Sequence, residues 1–122
     1  MTIAITGATG NIGRATALSL IDSGVDDVRL LVRSAAKIPD ELKGLPHAVC
    51  TYADDESALA ALEGVDALFM VSAKESPRRV ADHRAFIDAA SRAGVRSVVY
   101  TSFLGAAPEA IFTHARDHFF TE

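Results

Sequence analysis

Three glycines, Gly7, Gly10 and Gly13, recur at intervals of three in the stretch TGATGNIGR, directly after the apolar run Ile3-Ala4-Ile5. A glycine at such a turn reaches backbone angles that a Cβ forbids. A second lets the chain close on phosphate oxygens, and a third lets a helix pack tightly on the preceding strand. The amides that open this helix, near Asn11, Ile12 and Gly13, then face an anion with the helix dipole behind them. A glycine pattern alone is weak evidence. Its place at the first strand–helix junction of an alternating chain makes it a pyrophosphate loop rather than a plain turn.

A second chemical signal ends the next β-branched run. About 20 residues beyond Gly13, Leu30-Leu31-Val32 leads into Arg33-Ser34, with Lys37 close behind. Binders of NAD tend to hold the ribose 2′-hydroxyl there with Asp or Glu, whereas binders of NADP place an Arg for the 2′-phosphate. No carboxylate stands at this position, and Asp26 and Asp27 precede the run and belong at its far end. Arg33 offers a planar fork to a phosphate and Lys37 a point charge. Read as more than surface cations, they favour NADP(H) over NAD(H).

The elements that must position these residues alternate. Ile3–Thr6, Val28–Val32, Ala48–Thr51, Ala67–Ser72 and Ser97–Ser102 read as buried strands. One helix begins after Gly10 and ends near Ser23-Gly24. Asp54 or Asp55 caps a second that runs through Leu62, and Pro77 opens the longest, with His83, Phe86, Ile87 and Ala90 on one face. Pro39 makes Ala35–Gly44 an irregular helix or loop. Strands of near-continuous apolar composition between helices imply α/β architecture, a doubly wound parallel sheet with strand order 3-2-1-4-5.

Bulk composition narrows the class. The 122 residues suffice for one domain, expected over 1–122, with 49% hydrophobic and 23% charged residues. No apolar run reaches a membrane-span length, and the start lacks the basic region of a signal peptide. Cys50 is the only cysteine, read as buried and inert, and a reducing cytoplasm fits. A net charge of −4 argues against nucleic acid as partner. Ala110–Glu122 reads as a helix, after which a six-stranded dinucleotide fold wants another strand. Val98-Val99-Tyr100 is then an open edge, so the sequence reads as the front part of a larger fold, or as one whose fifth strand pairs in a homodimer.

ITGATGNIGR, LLVRSAAK, DALFMVSAKES, HRAFIDAASRAGV and VVYTSFLGA together resemble the NmrA-like group of atypical short-chain dehydrogenases/reductases, and within it the type 2 NAD(P)H:quinone oxidoreductases. The resemblance covers the whole chain, including His118-x-x-Thr121-Glu122. It implies cofactor contacts at Gly7, Ala8, Thr9, Gly10, Asn11 and Ile12, and at Arg33 with Lys37. It also implies that Ser72, Ala73 and Lys74 line the nicotinamide half of the groove. A small-molecule substrate, a quinone, is implied, with hydride passing from NADPH. The same group contains dinucleotide-sensing regulators that act through a protein partner, which is the alternative function. Relatives often carry an acidic residue after the third strand, where this chain has Cys50-Thr51-Tyr52, leaving Ala53-Asp54 as adenine-side substitutes. Family members also continue well past this length, and that continuation supplies much of the substrate pocket.

Catalytic residues are not assigned by the sequence. The Tyr-x-x-x-Lys pair of many short-chain reductases is absent, since Glu56 and Leu104 stand four residues after Tyr52 and Tyr100. A quinone accepts hydride directly, so positioning can supply much of the catalysis. Tyr100, Thr101 and Ser102, at the end of the fifth strand, are substrate-side candidates or plain strand-end residues. His83, on an apolar helix face, reads as a satisfied core histidine. His114 and His118 have a zinc-ligand spacing, but Ala115 replaces the glutamate of a metalloprotease and no third ligand is evident, so no metal is expected.

Overall fold

The run Ile3–Thr6 forms β1, the middle strand of the sheet, flanked by β2 (Val28–Val32) and β4 (Ala67–Met70). In this computed structural model, which describes residues 1–73, 76–101 and 121, β3 (His47–Val49) and β5 (Ser97–Tyr100) complete a five-stranded sheet. All four pairings are parallel and the order is β3-β2-β1-β4-β5, as expected. Ile3 lies opposite Val28 on one side and Ala67 on the other.

Period-two alternation divides the core between the two faces. Ala4, Leu31, Leu68 and Met70 pack with Phe86, Ala89 and Ala90 of α3 (Arg79–Arg92) and Ala58 and Ala61 of α2 (Asp55–Ala61). Ile5, Val28, Leu30 and Val32 pack on the opposite face with Ala17 of α1 (Asn11–Asp22) and with Ile38 and Leu42. Leu42 ends the second of two 3₁₀ turns, Ala35–Lys37 and Asp40–Leu42, and Ile38 caps the first, with Pro39 between the turns. Pro39 breaks this crossover as expected, and the short turns still bury an aliphatic face.

Four expectations are corrected. The fourth strand was expected over Ala67–Ser72 but ends at Met70, because the Val71 and Ser72 amides donate to side chains. The third strand was expected over Ala48–Thr51, but Cys50 is the last residue tied to β2, through its amide and the Val32 carbonyl, and Thr51 leaves the sheet. α3 begins at Arg79 rather than at Pro77, because a turn from the Ser76 carbonyl to the Arg79 amide comes first. β5 is not buried: Val98 is 40% and Val99 60% exposed. β-branched composition signals a strand equally well at the edge and in the middle of a sheet. Asp27 lies at the far end of β2 as expected, where its carbonyl accepts from Ile3 and its carboxylate from the Thr2 hydroxyl.

Among the described residues, no helix is long and apolar enough to cross a membrane. Lys74, Ser102, His114 and His118 lie outside the described residues, as does the expected Ala110–Glu122 helix apart from Thr121, which is helical.

Candidate functional site

The crossover from β1 through α1 to β2 leaves on one face of the sheet, and that from β3 through α2 to β4 on the other. The carboxyl ends of β1 and β4 therefore part, and a groove of about 320 Å³ opens there. Its floor and rim include Gly7, Thr9, Arg33, Tyr52, Val71 and Ala73.

The three glycines have three separate roles. Gly7 has φ +68°, and a Cβ there would sit 2.9 Å from the Val71 Cβ. Gly13 packs against the turn so closely that a Cβ would lie 2.3 Å from the Gly7 carbonyl oxygen. Gly10 is the N-cap of α1, and a Cβ on it would meet nothing nearer than the Gly7 oxygen at 3.5 Å. Gly7 and Gly13 thus bring helix and strand together, and Gly10 leaves bare backbone on the open side. α1 has no side-chain cap and no acidic residue in its first turn, whereas α2 has the Asp54 carboxylate as cap and both Asp55 and Glu56 behind it. The first-turn amides of α1 and its positive pole are the ones left for an anion. Ala8 is buried under the loop, while Thr9, Gly10, Asn11 and Ile12 are exposed, Ile12 at 56% despite its apolar side chain.

At the second corner, Arg33 is exposed at the end of β2 and lines the groove. Lys37 is exposed in the 3₁₀ turn beyond it and is not among the lining residues. The wall after β3 is Cys50, Thr51, Tyr52 and Ala53. Asp54 turns to α2, its carboxylate accepting from the Ser57 amide at 3.5 Å. Burial and the nearby Asp54 carboxylate push the Cys50 thiol up to about 11, so it stays a neutral wall group.

Ser72 and Ala73 line the other half of the groove with Val71. Of the substrate-side candidates, the two among the described residues, Tyr100 and Thr101, make hydrogen bonds behind the lining. Thr101 Oγ1 accepts from the Ser72 amide at 2.9 Å, and the Tyr100 hydroxyl lies 3.5 Å from His83 Nδ1. Neither residue is among those lining the groove. His83 is fully buried and satisfied: its Nε2 accepts from the Ala73 amide at 2.9 Å, and its Nδ1 lies 2.9 Å from Thr121 Oγ1. Among the described residues, no group of three or more His, Cys, Asp or Glu side chains could hold a metal ion.

Sequence reasoning missed Thr6 and Tyr52, which meet at the bottom of the groove. Thr6 Oγ1 accepts from the Val71 amide at 2.8 Å and lies 2.6 Å from the Tyr52 hydroxyl, which donates to the Val71 carbonyl at 2.5 Å. Burial holds the Tyr52 hydroxyl well above the usual phenol range, against the pull of the Thr6 hydrogen bond. It stays protonated and serves as a donor. A lone tyrosine just after a strand carries no local signal of such a contact, because its partners are 46 and 19 residues away.

A doubly wound sheet with a glycine-lined groove at its switch point is the architecture of dinucleotide-binding α/β proteins. The chain belongs to the NAD(P)H-binding family, whose pattern it matches over residues 7–121. It is 37% identical over 106 residues to quinone oxidoreductase 2 of Escherichia coli (strain K12), covering 85% of this chain and 37% of that protein. It is 34% identical over 109 residues to the NAD(P)H azoreductase of Xenophilus azovorans, covering 88% and 37%. The chain thus spans a little over a third of the length of these curated relatives. Among solved structures, the NADPH-dependent quinone oxidoreductase of Escherichia coli in complex with NADPH superposes with a TM-score of 0.88 at 34% identity, covering 98% of this chain and 43% of that one. Triphenylmethane reductase of Citrobacter sp. in complex with NADP(H) gives a TM-score of 0.88 at 28% identity, covering 99% and 44%. The resemblance read from the motifs is borne out.

Proposed function

We propose that the chain holds NADP(H), in preference to NAD(H), across this groove and is the cofactor-binding part of an oxidoreductase that reduces a quinone. The observation that carries the reading is the division of labour among the glycines. Gly7 and Gly13 form contacts no Cβ permits, Gly10 leaves exposed bare backbone at the start of α1, and α1 opens without cap or acid. The loop from Gly7 to Ile12 would cradle the pyrophosphate. Arg33, with Lys37 behind it, would meet the 2′-phosphate. Ala53 would stand beside the adenine in place of the acidic residue of relatives. Ser72, Ala73 and Lys74 would line the nicotinamide half.

When bound, the reduced cofactor supplies a hydride. The protein's part is to orient the reacting face and keep water from it. Because a quinone takes hydride at an already electrophilic centre, no proton-transfer tyrosine is required, consistent with Tyr52 being held protonated against the Val71 carbonyl. Tyr100 and Thr101 would support the substrate side indirectly, through His83 and the Ser72 amide, with Ser102 next in the chain. The reading extends to a cytoplasmic protein that forms a homodimer through the exposed edge of β5.

Calorimetric titration of the 122-residue chain with NADPH and with NADH tests the cofactor. NADPH is expected to bind more tightly, and Arg33→Ala to weaken NADPH roughly 10- to 100-fold, as loss of a charge-assisted contact implies, with NADH nearly unchanged. Binding of neither nucleotide overturns the reading. For the reaction, a quinone should raise NADPH oxidation above background. Tight NADPH binding without turnover would favour a sensor instead.

A further inference from the structure

The three residues that leave β4, Val71, Ser72 and Ala73, are held in an unusual way. Each of their backbone amides donates to a side chain from a different part of the chain. Val71 donates to Thr6 Oγ1 at 2.8 Å, Ser72 to Thr101 Oγ1 at 2.9 Å, and Ala73 to His83 Nε2 at 2.9 Å. Two carbonyls are gripped as well, that of Val71 by the Tyr52 hydroxyl at 2.5 Å and that of Ala73 by the Arg79 guanidinium at 3.5 Å. The segment has left the ladder of β4, so its path is set by side chains rather than by strand pairing.

Proton accounting gives each contact a direction. Tyr52 spends its only proton on the Val71 carbonyl, so the Thr6 hydroxyl donates to the Tyr52 oxygen while accepting from the Val71 amide. A ring nitrogen that accepts carries no proton, so the neutral His83 imidazole is protonated on Nδ1, facing Thr121 Oγ1 at 2.9 Å and the Tyr100 hydroxyl at 3.5 Å. The His83 ring stands edge-on between Tyr52 and Tyr100, at centroid distances of 5.8 and 5.6 Å, and Tyr52 packs on Phe86 at 4.4 Å. Packing therefore fixes both side chains, which is the condition for placing a third group accurately.

We propose that Tyr52, through its hydroxyl, and His83 are positioning residues that set the nicotinamide half of the groove by holding the Val71 and Ala73 peptides; Tyr52 gives the adenine-side wall only its ring, so that half does not depend on these hydrogen bonds. Val71 in turn presses on Gly7, where a Cβ would come within 2.9 Å of the Val71 Cβ, so its placement also sets the depth of the groove beside the turn. The proposal rests on the NADP(H) reading above.

Two ligands separate the halves: NADPH, and adenosine 2′,5′-bisphosphate, which has the 2′-phosphate and adenine but no nicotinamide. Tyr52→Phe removes one oxygen and keeps the ring on Phe86; His83→Leu removes the acceptor for Ala73, and His83→Gln returns one. Tyr52→Phe and His83→Leu are each expected to weaken NADPH about fivefold or more, with the bisphosphate changed less than about twofold and with His83→Gln recovering most of the loss. In the unliganded chain, the Ala73 amide should exchange faster in His83→Leu and return toward wild type in His83→Gln. Should His83→Leu fail to fold, Tyr52→Phe decides alone. Equal weakening of both ligands means a general loss of structure and overturns the proposal, as does unchanged NADPH affinity in folded Tyr52→Phe. Binding of neither ligand by the wild-type chain overturns the NADP(H) reading itself, and this proposal with it.

Discussion

Gly10 and Gly13 are three residues apart, yet the structure predicts opposite outcomes for the same substitution. An alanine methyl at Gly13 would stand 2.3 Å from the Gly7 oxygen and 2.7 Å from that of Thr6, both backbone atoms that cannot swing aside. Gly13→Ala should therefore cost about 1–3 kcal/mol or more, the range for overpacking, and lower the thermal midpoint. Gly10 has φ −104°, which alanine adopts without strain, and its nearest contact is 3.5 Å away. Gly10→Ala should leave the midpoint within a few degrees and weaken NADPH, because the methyl would add bulk to the loop proposed to hold the pyrophosphate. A Gly10→Ala protein that unfolds early, or one that binds as wild type does, would contradict this assignment. Cys50 gives a prediction in pH. Its folded pKa is raised from 9.0 to about 11, so the unfolded thiol ionises first and stability falls as pH rises from 9 through 11. Denaturant midpoints across that window should fall less steeply in Cys50→Ala, and iodoacetamide should label the native thiol slowly at pH 8.

Helices and strands carry their own expectations. Asp54 caps α2 through a bond of 3.5 Å, long for a cap, so Asp54→Ala should cost about 0.5–1 kcal/mol, at the low end for such losses. Phe86 is fully buried, on the α3 face that packs on β4 and Tyr52, and Phe86→Ala should cost about 3–5 kcal/mol. Urea unfolding of the two variants side by side checks both, and similar losses would mean that α3 is not the anchor of this face. Element type was legible in the sequence, and element ends were legible where a capping residue marked them. Gly10 opens α1, Asp54 opens α2, and the residues expected for β1 and β2 are those observed. The ends of β3 and β4 and the start of α3 were not, because leaving a sheet or starting a helix after proline depends on which hydrogen-bond partner lies in reach.

For the molecule as a whole, the exposed edge of β5 has a consequence that solution measurements reach. Among the described residues no strand pairs with the outer edge of β5, and an edge carrying exposed Val98 and Val99 is a template for a second strand. The chain is expected to self-associate, and Val99→Lys to shift it toward monomer; light scattering that finds a monomer for wild type would count against the homodimer. Sequence alone determined the alternation of strands and helices, hence the parallel sheet and its order, since period and handedness are local properties of the chain. It also made the glycine turn before α1 legible, because glycine spacing at a strand–helix junction is a short-range pattern. Tertiary structure alone decided what stands beneath that loop. Thr6, Tyr52 and His83 come from three places in the chain, and nothing in the local pattern of any one of them predicts its hydrogen bond to the segment Val71–Ala73. It also turned Tyr100 and Thr101, neither of which lines the groove, onto His83 and the Ser72 amide. Hydrogen bonds between residues far apart in sequence depend on where the folded sheet ends, and that follows from packing the whole chain together.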